Sequence, residues 1–155
     1  MSISDHVPAR HFAPDTPPAT PVRSQLRLRR KLRVLLVEDE AADATLIGEL
    51  LARSRRFDCA VVLASGLDAA RAALDSDKFD LTILDYWIGA ESSLGLLDHP
   101  AHLKHGLPAL LVSAIDVVDV RGAGVAAGAR AYLHKTTLSR EALDAAMLEA
   151  LRQEA

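Results

Sequence analysis

The chain has 155 residues, half of them hydrophobic and a quarter charged, with a formal net charge of −3. That is long enough for one domain with a buried core and typical of soluble globular proteins. A single cysteine, Cys59, excludes an intramolecular disulfide and fits a reducing compartment, so a cytoplasmic location is expected; no apolar run approaches the roughly 20 residues needed to cross a bilayer.

Residues 1–31 carry six basic groups against Asp5 and Asp15, a surplus of +4 that leaves −7 on the remainder. Five of the seven prolines fall in the first 21 residues, and no apolar periodicity accompanies them. This stretch reads as a disordered, Pro-rich, basic tail, with the folded domain over 32–155. No apolar h-region follows its basic residues, so a secretory signal is not expected. Within it, "RSQLRLRRKLR" (23–33) reads as a solvated linker or as a basic patch for nucleic acid or a membrane surface. The acidic domain itself is a poor match for a phosphate backbone, and no direct DNA binding is expected.

From residue 32 the chain alternates between strand and helix patterns. "LRVLLV" (32–37) is a short apolar run of the kind a buried parallel strand shows. Leu46, Ile47, Leu50 and Leu51 repeat at helical spacing, and "CAVVLA" (59–64) is a second strand. Ser65 and Asp68 form a capping-box-like start to a helix through Leu67, Ala70 and Leu74. "DLTILD" (80–85) is the third strand, followed by a polar stretch and a short helix near "SLGLL". "PALLVSA" (108–114) and "AYLHK" (131–135) are the fourth and fifth strands. A last helix starts near Ser139, with Glu141 in its first turn and Leu143, Met147, Leu148 and Leu151 on its apolar side. Between strands four and five, Gly122 and Gly124 each cost a helix about 1 kcal/mol relative to alanine, so a weak, mobile or partly irregular helix is expected there. This alternation argues for an open parallel sheet covered on both faces.

In such sheets, sites form outside the carboxyl ends of the strands. Those ends hold Glu38 and Asp39, Asp85, Ser113 and Lys135. Three carboxylates on one edge explain one another if a cation joins them. Oxygen ligation of this kind suits Mg²⁺, with the backbone carbonyl of Trp87 as a further ligand. With Mg²⁺ bound, Asp85 is placed to act as a nucleophile toward a phosphoryl donor, while Ser113 and Lys135 hold phosphoryl oxygens.

These residues carry a resemblance. "LLVEDE" with Glu38 and Asp39, "LTILD" with Asp85, "LLVSA" with Ser113 and "GARAYLHK" with Lys135 resemble the motifs of response-regulator receiver domains of the chemotaxis-regulator type. They occur in order, at separations of 46, 28 and 22 residues between Asp39, Asp85, Ser113 and Lys135. The resemblance runs from about residue 32 to the end of the chain. It implies a flavodoxin-like α/β fold, a five-stranded parallel sheet of order 2-1-3-4-5 with helices on both faces, and Tyr132 as an aromatic switch. It further implies a phosphoryl group taken from a sensor histidine kinase or phosphotransfer protein, a downstream protein target, and a homodimer formed on phosphorylation as one output. The protein would be a self-phosphorylating and self-dephosphorylating acceptor rather than a turnover enzyme. With no output domain after the last helix, a single-domain regulator or phosphate sink is expected.

Three features depart from the family pattern. "YWIGAESS" follows Asp85 where a Met-Pro pair and a later glycine are usual. Thr136 replaces the proline after Lys135, which disfavours a cis peptide there, since a non-proline cis bond costs about 2.5–4 kcal/mol. The glycine-rich helix before strand five lies on the family's partner-facing surface. Because of the unusual loop, a pseudo-receiver that is never phosphorylated is the alternative. A haloacid-dehalogenase-type phosphatase wants a second aspartate where Trp87 stands. Nucleotide or flavin binding wants a Gly-rich loop where Glu38 and Asp39 would repel a phosphate. Trp87 reads either as a partner contact or as a cover over the acidic pocket. His99, His102 and His105 lack zinc spacing and read as a solvated loop, and His134 reads as structural.

Overall fold

A computed structural model describes residues 28–115 and 120–152. Five strands, β1 (Arg30–Val37), β2 (Phe57–Ala64), β3 (Leu81–Asp85), β6 (Ala109–Ser113) and β7 (Ala131–His134), form one parallel sheet in the order β2-β1-β3-β6-β7. Counting only these five, this is the expected order 2-1-3-4-5. Two short strands absent from the sequence reading, β4 (Trp87–Ile88) and β5 (Glu91–Ser92), make an antiparallel hairpin directly after β3. β1 and β2 each begin two residues earlier than their apolar runs, at Arg30 and Phe57. The predicted tail lies outside the described residues as far as residue 27.

Side chains alternate across each strand, so the sheet separates two apolar layers. Val34, Leu36, Ile83, Leu110 and Val112 face α1 (Ala41–Ala52) and α5 (Arg140–Arg152), meeting Ile47, Leu51, Leu143 and Met147. Leu35, Val37, Leu84 and Leu111 face the other way. There they pack with Leu67 and Leu74 of α2 (Leu67–Ser76), Leu96 and Leu97 of a 3-10 helix over Ser93–Asp98, and Val120 of α4 (Val120–Ala127). A one-turn helix, α3 (Pro100–Leu103), follows the 3-10 segment. Ser139 starts α5 as expected, its hydroxyl accepting from the Ala142 amide at 3.0 Å.

Two expectations change. Leu46 does not join the core but is 45% exposed, because Ile47 and Leu51 already occupy the buried side of α1. Ser65 does not cap α2. Gly66 occupies the N-cap position with no side-chain hydrogen bond, and Asp68 instead lies 3.5 Å from Arg71 one turn along. The glycine-rich segment forms the helix α4 over Val120–Ala127, while residues 116–119 of it lie outside the described residues. Gly124 has a packing reason, since a Cβ there would come within 2.7 Å of Leu111 Cδ2. Its missing side chain lets α4 approach β6.

Candidate functional site at the carboxyl edge of the sheet

Parallel pairing aligns the strand ends: Val37 lies beside Leu84, Asp85 beside Val112, and Ser113 beside His134. The residues that follow β1 and β7 therefore converge on the end of β3. Glu38 is 1% exposed, and its amide donates to the Ala64 carbonyl at 3.1 Å, continuing the sheet by one residue. Carboxylate oxygens of Glu38, Asp39 and Asp85 lie within 4.8 Å of one another.

Lys135 binds this group together. Its Nζ donates to Asp43 Oδ2 at 2.7 Å, Glu38 Oε2 at 2.9 Å and Asp85 Oδ2 at 3.1 Å. Burial alone would make the ammonium easier to deprotonate, but the three carboxylates outweigh it and hold the lysine above its ordinary range. Burial pushes the Glu38 carboxyl up to about 7, against the hydrogen bonds it accepts from Lys135 and the Glu40 amide. Among the described residues the candidate ligand set at Asp85 is all carboxylate oxygen, with no sulfur or imidazole. This chemistry fits a hard divalent cation that keeps part of its water.

The other predicted residues sit less directly on the acceptor. Ser113 is fully buried at the end of β6, its Oγ accepting from the Ile115 amide at 3.2 Å. Tyr132 is half-buried in β7 and packs on the layer that includes Leu111, Val120 and Ala129. Trp87 stands on β4, two residues beyond Asp85. The residue is 42% exposed and its ring meets that of Tyr86 edge-on at 5.2 Å. Among the described residues no peptide bond is cis, including that between Lys135 and Thr136.

Two participants were not foreseen. Asp43, in the first turn of α1, makes the shortest of the three lysine contacts. A first-turn acid is ordinarily explained by the helix dipole, and nothing in its neighbourhood points to a lysine 92 residues on. The second is the Gly89 amide, which donates to Asp39 Oδ2 at 2.7 Å. Gly89 turns the β4–β5 hairpin with φ 61°, a left-handed conformation that glycine adopts without strain. The loop after the acceptor is thereby tied to the acidic pair.

Two of the three histidines correct the expectation of a solvated loop, while His105 is exposed. His99 Nε2 lies 2.7 Å from Asp75 Oδ1, and its Nδ1 accepts from the Ala101 amide at 3.1 Å, fixing the start of α3. His102 Nδ1 pairs with the Leu107 carbonyl at 2.9 Å, and burial lowers its basicity. Their partners are distant in sequence or on the backbone, which spacing does not reveal. His134 is structural as expected, with Nδ1 2.7 Å from the Thr136 hydroxyl.

The model of the family described as response regulator receiver domain matches residues 34–147, which takes in every residue of this edge. The chain belongs to the response-regulator receiver domain family. The response regulator protein PmrA of Pseudomonas aeruginosa is 36% identical to it over 106 residues, 67% of this chain and 46% of that protein. The chain thus spans about half the length of the curated relative it matches. Among solved structures, the receiver domain of the Francisella response regulator 1452 superposes with a TM-score of 0.66 at 18% identity, covering 79% of this chain and 99% of that one. A CheY-like receiver domain protein from Methanospirillum hungatei gives 0.65 at 22%, covering 77% and 92%. A response regulator from Burkholderia pseudomallei, solved with a phosphorylated aspartic acid, calcium ion and citrate, gives 0.63 at 25%, covering 74% and 65%. Receiver domains are phosphoacceptor signalling domains. No helix among the described residues of this one is long and apolar enough to cross a membrane.

Proposed function

We propose that this receiver domain takes a phosphoryl group onto Asp85 from a histidine kinase or phosphotransfer protein in a Mg²⁺-dependent reaction. It then signals in the cytoplasm through protein contacts, a second copy of the chain among them, or by draining phosphoryl groups from the kinase. The observation that carries this reading is Lys135 Nζ at 3.1 Å from Asp85 beside the Glu38, Asp39 and Asp85 cluster. The phosphorylated aspartate and metal of the Burkholderia pseudomallei relative support it.

Glu38, Asp39, Asp85 and the Trp87 carbonyl would hold the cation, which supplies positive charge for the phosphoryl oxygens. An Asp85 oxygen attacks phosphorus in line with the phosphohistidine P–N bond. That bond breaks, and its electron pair stays on the imidazole nitrogen, which takes a proton from water. Lys135 turns its ammonium to a phosphoryl oxygen, and Ser113 donates its hydroxyl proton to another. Tyr132, on β7 three residues before Lys135, reports the change as the aromatic switch. In the reverse half of the cycle water attacks phosphorus, the P–O bond to Asp85 breaks, and the carboxylate returns with release of inorganic phosphate. The protein is consumed and regenerated in this cycle rather than turning over a metabolite.

The test is intact-mass analysis after incubation with a small-molecule phosphoryl donor and Mg²⁺. Wild type gains one phosphoryl group and Asp85→Asn gains none; a gain on the mutant would remove Asp85 as acceptor. Deleting residues 1–27 leaves the wild-type gain unchanged. The Gly89 amide on Asp39 favours a second reading, a pseudo-receiver whose loop occupies the acidic pair, and absence of any gain in the wild type would select it.

A further inference from the structure

We propose that Asp43 is a positioning residue that draws the Lys135 ammonium away from the carboxylates needed for the cation. The inference rests on the phosphoacceptor reading and extends it to a residue outside the motifs. The lysine is shared among three carboxylates of different kinds. Glu38 and Asp85 are shielded, with side chains 1% and 13% exposed, whereas Asp43 is 38% exposed. Yet the shortest contact, 2.7 Å, is the one to Asp43. Asp43 also sits in the first turn of α1, where the helix dipole favours its negative charge.

An ammonium and a divalent cation compete for the same carboxylates, Glu38 and Asp85. A third carboxylate that the cation does not need takes part of the ammonium's attraction. The lysine then stays at the site, ready for a phosphoryl oxygen, without neutralising Asp85 and Glu38. Without Asp43 the ammonium has, among the described residues, only those two carboxylate partners and leans on them. Mg²⁺ affinity falls for that reason, in addition to the through-space loss of one negative charge.

A double-mutant cycle separates the two effects. Mg²⁺ binding is measured by calorimetry for wild type, Asp43→Asn, Lys135→Met and the pair, with thermal melts confirming that each is folded. Asp43→Asn weakens Mg²⁺ binding roughly three- to tenfold. In the Lys135→Met background the same substitution loses most of that effect. Equal losses in both backgrounds would mean that Asp43 acts only as a distant charge, and would overturn the proposal.

A second measurement needs no metal and stands whether or not the phosphoacceptor reading holds. In metal-free, ¹⁵N-lysine-labelled protein, the Lys135 ammonium exchanges its protons slowly because three acceptors hold it. Asp43→Asn accelerates that exchange severalfold and Asp43→Glu restores it; exchange unchanged in Asp43→Asn would refute the proposed hold on the lysine. Wild type that binds no Mg²⁺ while Asp43→Asn still accelerates exchange would count against the phosphoacceptor reading but not against the hold.

Discussion

Asp144, well outside the carboxylate cluster, gives the sharpest stability prediction. It lies on α5 and is 5% exposed. One oxygen accepts from the Ser54 hydroxyl at 2.6 Å and the other from the Arg55 amide at 3.1 Å. Ser54 Oγ in turn accepts from the Phe57 amide at 3.0 Å. One carboxylate therefore fixes the turn that leads into β2. Two hydrogen bonds to a charged acceptor contribute about 1.5–3 kcal/mol each. Removing the carboxylate also removes its own burial cost, and water can reach the Arg55 amide, so about half of that sum remains. Asp144→Ala is thus expected to cost about 1.5–3 kcal/mol, and Asp144→Asn about 1–2, because an amide has one acceptor oxygen for two donors. The assay is urea unfolding at neutral pH, with the slope unchanged and the midpoint lowered. Ser54→Ala completes a cycle with a coupling of about 1–2 kcal/mol. A loss below about 0.5 kcal/mol for Asp144→Ala would refute the argument that this network holds the turn.

Three further predictions follow from single groups. Burial lowers the His102 pKa below its ordinary 6.5, so the unfolded chain binds more protons as pH falls through that value. Stability contributed by His102 is full above about 6.5 and declines on acidification; His102→Asn should flatten the fall in melting temperature between roughly pH 7 and 5, and an unchanged slope would contradict this. Burial pushes the Cys59 thiol up to about 11, helped by the charges of Asp144 and Asp58, so iodoacetamide should modify native protein on the order of a hundredfold more slowly than urea-unfolded protein. Similar rates would show the thiol to be accessible as thiolate. At Gly89 a Cβ meets nothing within 4 Å, so Gly89→Val carries only a backbone cost of about 1–2 kcal/mol, and Gly89→Asn less. Equal urea midpoints for wild type and Gly89→Val would argue against the left-handed turn.

Order in the strands was legible because "LRVLLV", "LTILD" and "ALLV" are too apolar and too short for anything but buried parallel strands. The site was legible for a related reason: Glu38, Asp39, Asp85 and Lys135 all stand within one or two residues of such runs, and a parallel sheet brings those ends together. The β4–β5 hairpin was not, since two-residue strands have no periodicity and only the φ of Gly89 discloses the turn. Asp43 carried an adequate local explanation as a first-turn acid, which concealed its bond to a lysine 92 residues away. Ser54 and Asp144 are 90 residues apart, and nothing in either neighbourhood names the other. Elements follow from local pattern, whereas pairings between polar side chains depend on the finished packing.

Ser113 uses a lone pair to accept the Ile115 amide, and a hydroxyl that accepts can still donate. The two roles reinforce one another, because donation draws electron density through the oxygen and acceptance replenishes it. Among the described residues no main-chain bond has to break for this hydroxyl to take a new acceptor. Any anion that receives its proton would instead modulate the bond to Ile115, the last described residue before the connection to α4. Ser113 is thereby anchored to the backbone two residues ahead of it, so the strand end and its hydroxyl move together.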